Sequence, residues 1–278
     1  MKNSTYIYVI DALSNMHVGS GEVNYGVVDN LIQRDPITTL PNINSSGLKG
    51  ALREHFDDKS FINDIFGSAP GDDKKDKKQG NARFFEANLL SLPVRSDKAP
   101  YFMATSVEVI ESLISNIRIF KGSEDSIAAD LEIFVKQVKG HFVGSIKAIT
   151  FDEKFKDAVI EIQNVKATHK RVQPFDSVQK IFGDNLVIVT HEILKELCDD
   201  NHLPVISRNN LENGVSKNLW YEQVLPRYSR LYFMLMDVNC NNENWDKFQE
   251  NLENDVFQVG ANASIGYGFC KFKEIANL

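Results

Sequence analysis

Hydrophobic positions along this chain recur with two periods, and the changes between them mark its elements. Residues 5–13 are dense in Tyr, Ile and Val and read as a buried strand. Residues 17–41 show neither period and are rich in Gly and Asn; a loop this long is usually functional or without fixed structure. Leu48, Leu52 and Phe56 then share one face of a helix, with Ser45 or Ser46 as its N-cap. Lys49 and Arg53, four apart, lie together beside that apolar stripe. Residues 83–95 read as a strand. Thr105-Ser106-Val107-Glu108 has the form of a capping box ahead of Val107, Ile110, Ile114 and Ile117 at helical spacing. Residues 134–162 carry mixed signals, with strand character towards the end. Residues 186–189 form a short apolar strand that leads through Thr190 into a helix bearing Ile193, Leu194 and Leu197.

Between residues 203 and 225 two extended, polar arms flank Asn213-Gly214, the dipeptide best suited to a tight hairpin turn. Their polarity predicts a hairpin that projects from the core. Residues 230–238 form another apolar strand, Trp245, Phe248 and Leu252 mark a helix, and residues 256–259 and 269–272 are strands. The order strand, helix, strand, then strand, helix, strand predicts an α+β fold of ferredoxin-like type in one domain over 1–278, with long inserted loops. One insertion, about 68–81, contains Gly71-Asp72-Asp73-Lys74-Lys75-Asp76-Lys77-Lys78-Gln79-Gly80 and reads as a solvated, mobile loop.

Composition narrows the class. The 278 residues are 42% hydrophobic and 25% charged, ordinary for a globular protein. No apolar run reaches the ~18–20 residues of a membrane span. The cysteines at 198, 240 and 270 are odd in number and widely spaced, which fits a reducing cytoplasm and gives neither a disulfide framework nor a zinc site. A net charge of −7 argues against a general coat for nucleic acid, but screening leaves room for a local basic surface.

Several enzyme signatures fail. His191-Glu192-Ile193-Leu194-Lys195 lacks the second histidine of a zinc-protease helix. Gly19-Ser20-Gly21 has Asn24 where a phosphate-covering loop needs its third glycine. Two glycine segments remain. In Ser45-Ser46-Gly47-Leu48-Lys49, helix N–H groups and a cation converge as a phosphate cradle would require, although a capped helix with a surface lysine has the same sequence. Residues 260–268 (Gly-Ala-Asn-Ala-Ser-Ile-Gly-Tyr-Gly) can approach another backbone closely, or can be a tight strand connection. Asp29, beside Asn30, has the form of a turn residue, and His17 that of a general base or of a side chain holding a carbonyl.

Taken together, His17-Val18-Gly19-Ser20-Gly21, Gly26-Val27-Val28-Asp29-Asn30, Gln33-Arg34-Asp35-Pro36, Leu40-Pro41 and Ser45-Ser46-Gly47-Leu48-Lys49-Gly50-Ala51-Leu52-Arg53 resemble the RAMP superfamily of CRISPR proteins, and residues 260–268 resemble its glycine-rich loop. Leu92-Pro93-Val94-Arg95-Ser96, Leu219-Trp220-Tyr221-Glu222-Gln223-Val224-Leu225-Pro226 and Phe257-Gln258-Val259-Gly260 narrow the likeness to the backbone subunits of type III-B (Cmr) effector complexes. Ala261 departs from it, standing where that group often has a second glycine.

The resemblance implies an RNA-recognition-motif-like palm and a hairpin thumb over about 203–225. It implies copies stacked along a CRISPR guide RNA beside other effector subunits, and complementary target RNA cut at regular intervals. It assigns the cut to Asp29 and places His17 and Glu222 at suspected catalytic positions. Expected RNA contacts are Ser45, Ser46, Gly47, Lys49, Arg53, Gly260, Asn262, Ser264, Gly266 and Gly268. Asp29 is the expected ligand of a divalent cation, Mg²⁺ or Mn²⁺, that assists attack of the RNA 2′-OH. A non-catalytic scaffold of the same fold and a CRISPR RNA-processing endoribonuclease are the competing readings.

Overall fold

The computed structural model describes residues 4–21, 26–68, 78–122, 124–156, 160–162, 165–172, 176–238 and 243–278. The centre of the predicted insertion, 69–77, lies outside them. At its stem Ser68 donates its amide to the Lys78 carbonyl (3.0 Å), and Gly67 bridges Gln79.

The opening apolar run forms β1 (Ser4–Ala12), its Ile7–Ile10 centre fully buried, as an all-apolar strand covered on both faces must be. After the long loop come β2 (Asn42–Ile43), α1 (Ser45–His55), α2 (Ile62–Phe66), β3 (Ala82–Phe84) and β4 (Ala87–Val94). The predicted single strand over 83–95 is therefore two. Both pair with one later strand, but Phe84 faces Leu235 whereas Asn88 faces Tyr232, so one extra residue lies between the two on this side.

A middle section follows: β5 (Phe102–Ser106), α3 (Val107–Phe120), α4 (Ser126–Lys139), β6 (Ala148–Thr150), β7 (Ile160–Ile162), β8 (Val165–His169), α5 (Asp176–Phe182), β9 (Leu186–Val189) and α6 (His191–Leu197). The cap of α3 is Ser106, whose hydroxyl accepts the Val109 amide at 3.4 Å, one residue later than a Thr105–Glu108 box requires. α4 resolves the mixed signals of residues 134–162. Asp125 caps it through the Ile127 and Ala128 amides, and it buries Ala128, Leu131, Phe134, Val135 and Val138 on one face.

The last section holds the hairpin β10 (Val205–Glu212) and β11 (Val215–Gln223), then β12 (Arg230–Asp237), α7 (Glu243–Asn254), β13 (Phe257–Gln258) and β14 (Phe269–Glu274). Asn213 and Gly214 have φ of 53° and 80°, the two positive values that a tight hairpin turn of this kind needs. β10 and β11 make a two-stranded sheet of their own and leave Val215–Asn218 exposed.

All other described strands join one 12-stranded sheet whose main path runs β13–β14–β1–β12–β4–β5–β9–β6–β8–β7. Within it β14, β1, β12 and β4 are antiparallel neighbours; α1 and the short α2 lie between β1 and β4 in the chain, and α7 between β12 and β14. The fold is thus α+β, built on a large open sheet. Phe56 at the C-cap of α1, Phe248 of α7 and Phe257 of β13 pack edge to face, Phe56 to the other two rings at 5.6 Å, and clamp both helices to this end of the sheet.

Candidate active site and nucleic-acid interface

The described residues of the long loop after β1 are more ordered than their composition predicts. Ser20 donates its amide to the Leu31 carbonyl (3.0 Å) and Gln33 to that of Val18 (2.8 Å), while Arg34 and Pro41 bridge in a second small ladder. The returning arm meets the edge of β11. Asp29 and Asn30 both donate backbone amides to the Tyr221 carbonyl at 3.1 Å, and the Gln223 amide donates to Asn30 at 2.9 Å. The Asp29 side chain completes the junction, Oδ2 accepting the Tyr221 amide at 2.8 Å. Its carboxylate is exposed, and Oδ1 has no partner among the described residues.

His17 lies behind this junction and is buried. Its Nδ1 is 2.7 Å from the Gln223 carbonyl, which can only accept, so Nδ1 carries a proton and donates it there. Nε2 packs against Gly19, where any Cβ would stand 3.3 Å away. The ring thereby anchors the strand that holds Asp29.

Glu222 is buried too, with three donors aimed at it. Trp220 Nε1 donates to Oε1 at 2.9 Å, while Arg208 Nη1 (3.1 Å) and Asn262 Nδ2 (2.9 Å) donate to Oε2. The Arg208 guanidinium also sits 5.7 Å from the Trp220 ring centroid. This carboxylate joins both arms of the hairpin to the glycine-rich loop. Both of its oxygens are thereby engaged within the chain.

The glycine-rich loop is fixed from the other side. Ala261 donates its amide to the His17 carbonyl and Gly268 to that of Asn15, both at 2.8 Å. Gly260 has φ of 92° and passes so close to His17 that a Cβ would lie 2.5 Å from its carbonyl oxygen; Gly268, at 79°, lies equally tight against Val259. Asn262 takes the left-handed conformation at φ 68°, and Ser264 and Gly266 are exposed. Ala261 is not among the positive-φ residues, so alanine is accommodated there without strain.

At α1 the cap position is Asn44, which corrects the expectation of Ser45 or Ser46. Chain entry is set by the Gln33 side chain, whose Oε1 accepts the Asn44 amide at 2.7 Å, and no side chain caps the helix. The amides of Ser45, Ser46 and Gly47 thus form an uncapped first turn, with Ser46 and Gly47 exposed. Lys49 is half-buried; burial first, then the nearby Arg53 and Arg83 guanidiniums, lower its pKa below the usual lysine value. Arg53 and Arg83 are oriented by the Gly67 (2.8 Å) and Gly80 (2.6 Å) carbonyls. Arg83, Arg208 and Trp220 were missed from sequence: the first lies in a segment read only as strand, and the other two are paired across a hairpin whose register is shifted.

Cys198 and Cys270 are buried free thiols, and burial pushes Cys198 up to about 12, so it supplies no thiolate at neutral pH. Among the described residues no three His, Cys, Asp or Glu side chains cluster to hold a metal. The one exposed carboxylate of Asp29 fits a hard divalent cation only where phosphate oxygens and water supply the remaining ligands.

The defining pattern of the RAMP superfamily matches residues 9–271. The CRISPR system Cmr endoribonuclease Cmr4 of Pyrococcus furiosus is 26% identical over 296 residues, covering 98% of this chain and 97% of that one. Among solved structures, a chain of the type III-B Cmr-β complex bound to cognate target RNA superposes with a TM-score of 0.76 at 20% identity, covering 98% of this chain and 97% of the other. Oligomeric Cmr4 from Pyrococcus furiosus does so at 0.69 and 19% identity, covering 99% of this chain and all of the other. At these identities the structural likeness is one of fold.

Proposed function

The chain belongs to the RAMP superfamily, and from that premise we propose that it is the backbone subunit of a type III-B CRISPR effector. In this reading copies of the chain stack along a guide RNA with other effector subunits, and each cleaves complementary target RNA by 2′-OH transesterification. The observation that carries it is the exposed Asp29 carboxylate, held on the Tyr221 amide at the foot of the β10–β11 hairpin. The names of its relatives support the assignment, one being an endoribonuclease and another a complex bound to target RNA.

The sheet order β14–β1–β12–β4, with α1 and α7 as its connecting helices, supports a ferredoxin-like, RNA-recognition-motif-like palm. The separate β10–β11 sheet is the thumb. Residues 1–278 then form a single RAMP domain. No helix among the described residues is long and apolar enough to cross a membrane, which fits a cytoplasmic complex of this kind.

Guide RNA is held by its backbone, because every copy must accept any sequence. Phosphates meet the uncapped amides of Ser45, Ser46 and Gly47 together with Lys49 and Arg53. The exposed part of the turn, Gly260, Ser264 and Gly266 with the half-buried Asn262, lets ribose and phosphate approach the backbone closely, while Gly268, expected as a contact, is buried against Val259 and only shapes the turn. The thumb splays one target nucleotide, bringing its 2′-OH in line with the adjacent phosphorus, and such positioning supplies several kcal/mol of the barrier. Asp29 Oδ1 accepts the hydroxyl proton as the 2′-oxygen bonds to phosphorus and the bond from phosphorus to the 5′-oxygen breaks; water protonates that leaving oxygen and Asp29 returns its proton to solvent, so the products are a 2′,3′-cyclic phosphate and a 5′-OH. Asp29 is the residue that would hold a Mg²⁺ or Mn²⁺ ion, which would supply charge stabilisation for the phosphate. His17 and Glu222 act through position, one on the strand below Asp29 and the other on the glycine-rich loop.

The test is to purify the assembled complex, add complementary RNA with and without Mg²⁺, and map the cuts. Evenly spaced products that vanish in Asp29→Asn support the reading. RNA bound and left intact by the wild type means a scaffold, and cleavage of repeat RNA by the isolated chain means a processing nuclease.

A further inference from the structure

Two motif segments have no task in that scheme, Leu92-Pro93-Val94-Arg95 and Pro226, and they meet across a cleft of about 670 Å³ at the foot of the hairpin. Among the described residues no Asp or Glu lines it, in a chain with 38 acidic and 31 basic side chains. Its cations are Arg95 and Arg227, both exposed. Every other described arginine is set against a carboxylate or carbonyl oxygen of the fold, and among the described residues these two are not.

The same cleft presents an aromatic platform. Tyr101 and Tyr228 stack with centroids 5.1 Å apart and planes 14° apart, and the Arg227 guanidinium lies 5.2 Å from the Tyr228 ring. Tyr228 is 45% exposed yet has φ of 73°, a conformation that bulky side chains rarely adopt. It is held there by its amide bond to Ala12 (2.7 Å) and by the neighbouring Arg227 amide on Asn15 Oδ1 (3.0 Å). Strain that keeps an aromatic ring facing solvent is characteristic of binding sites. Asn15 also accepts the Gly268 amide through its carbonyl, so cleft and glycine-rich loop share a residue.

We propose that this cleft takes one unpaired nucleotide of single-stranded RNA, its base on the Tyr101–Tyr228 platform and its flanking phosphates on Arg95 and Arg227. The site rests on the RNA-binding reading above only for the identity of the polymer. The combination of unpaired guanidinium groups, stacked rings and no acid is that of a single-strand site.

The test uses the full chain and a fluorescein-labelled oligouridylate, with anisotropy followed over a range of salt concentrations. Arg95→Ala with Arg227→Ala should weaken binding about tenfold at low salt and reduce the salt slope by about 1.4, near 0.7 for each lost phosphate contact. Tyr228→Gly should weaken binding about tenfold with the slope unchanged, and Tyr228→Phe should match the wild type. A 5-iodouridine probe should photo-crosslink to Tyr101 or Tyr228. Variants that bind like the wild type overturn the site, and if they also sediment as smaller assemblies the cleft is a contact between copies. A wild-type chain that does not bind the probe overturns the RNA reading and the site together.

Discussion

Asp29 and Tyr221 clasp each other through one residue's backbone: the Asp29 carboxylate accepts the Tyr221 amide at 2.8 Å, and the Asp29 amide donates to the Tyr221 carbonyl at 3.1 Å. The acid is thus carried by a strand edge and not by a free loop, so its position is set before RNA arrives. One oxygen is committed to that task and the other faces outward.

Asp29→Asn separates these two tasks. Asparagine keeps an oxygen to accept the Tyr221 amide but loses the charge, so loop, assembly and RNA affinity should stay as in the wild type. Cleavage should fall by about 100-fold or more, the range of a lost general base. Gel analysis of end-labelled target beside a native binding assay reads both. Wild-type cleavage by this variant would remove Asp29 from the chemistry.

Glu222 should behave differently. Glu222→Ala leaves the half-buried Arg208 guanidinium and the Trp220 and Asn262 N–H groups without their acceptor. We expect a loss of about 2–4 kcal/mol in urea unfolding, because an unpaired buried charge is the expensive outcome. Cleavage and RNA affinity should fall together, since the glycine-rich loop is released, and neither should vanish. Unchanged stability, or loss of cleavage with binding intact, contradicts a positioning role.

Much of this was legible in the residues. Asn213-Gly214 located the hairpin, because few dipeptides tolerate two positive φ values in succession. Trp245, Phe248 and Leu252 located α7, and all three are buried. α4 was not legible: Ile133, Phe134 and Val135 favour strands by propensity, and burial of a helical stripe beginning at Ala128 overrode them. At the site, Asp29 was marked by resemblance alone, since an Asp beside an Asn has the form of a turn. Its partner is a backbone amide 192 residues away, which side-chain identity does not encode. The Arg208–Trp220 pair was hidden by the register shift between Asn210 and Leu211, because a slip of one residue exchanges the faces of a strand.

Gly260 and Gly266 form a matched pair for testing the loop. Both have positive φ, 92° and 84°, but a Cβ at Gly260 meets the His17 carbonyl whereas at Gly266 it meets open space. Gly266→Ala should therefore lose about 1 kcal/mol from backbone strain. Gly260→Ala should lose about 2–3 kcal/mol, because it must also break the Ala261–His17 hydrogen bond. Equal losses in thermal unfolding would mean that the close approach at Gly260 does not matter.

Lys49 supplies a test through pH. Its pKa lies below the ordinary 10.5 because burial, and then Arg53 and Arg83, oppose its charge. Between the folded and unfolded values the unfolded chain holds more protons, so this residue's contribution to stability rises with pH across that window. A phosphate beside the ammonium has the opposite effect and restores the proton. If RNA binds at the start of α1, it should take up a proton within that window, and affinity should fall as pH rises towards 10.5. A 2′-O-methyl RNA, which survives alkali, allows the titration by anisotropy. Lys49→Met should flatten this pH dependence and reduce the salt slope by about 0.7–0.9, one phosphate's worth. If the titration is as steep in Lys49→Met as in the wild type, the RNA phosphates do not run past this lysine, and the basic group of Lys49, Arg53 and Arg83 serves the fold alone.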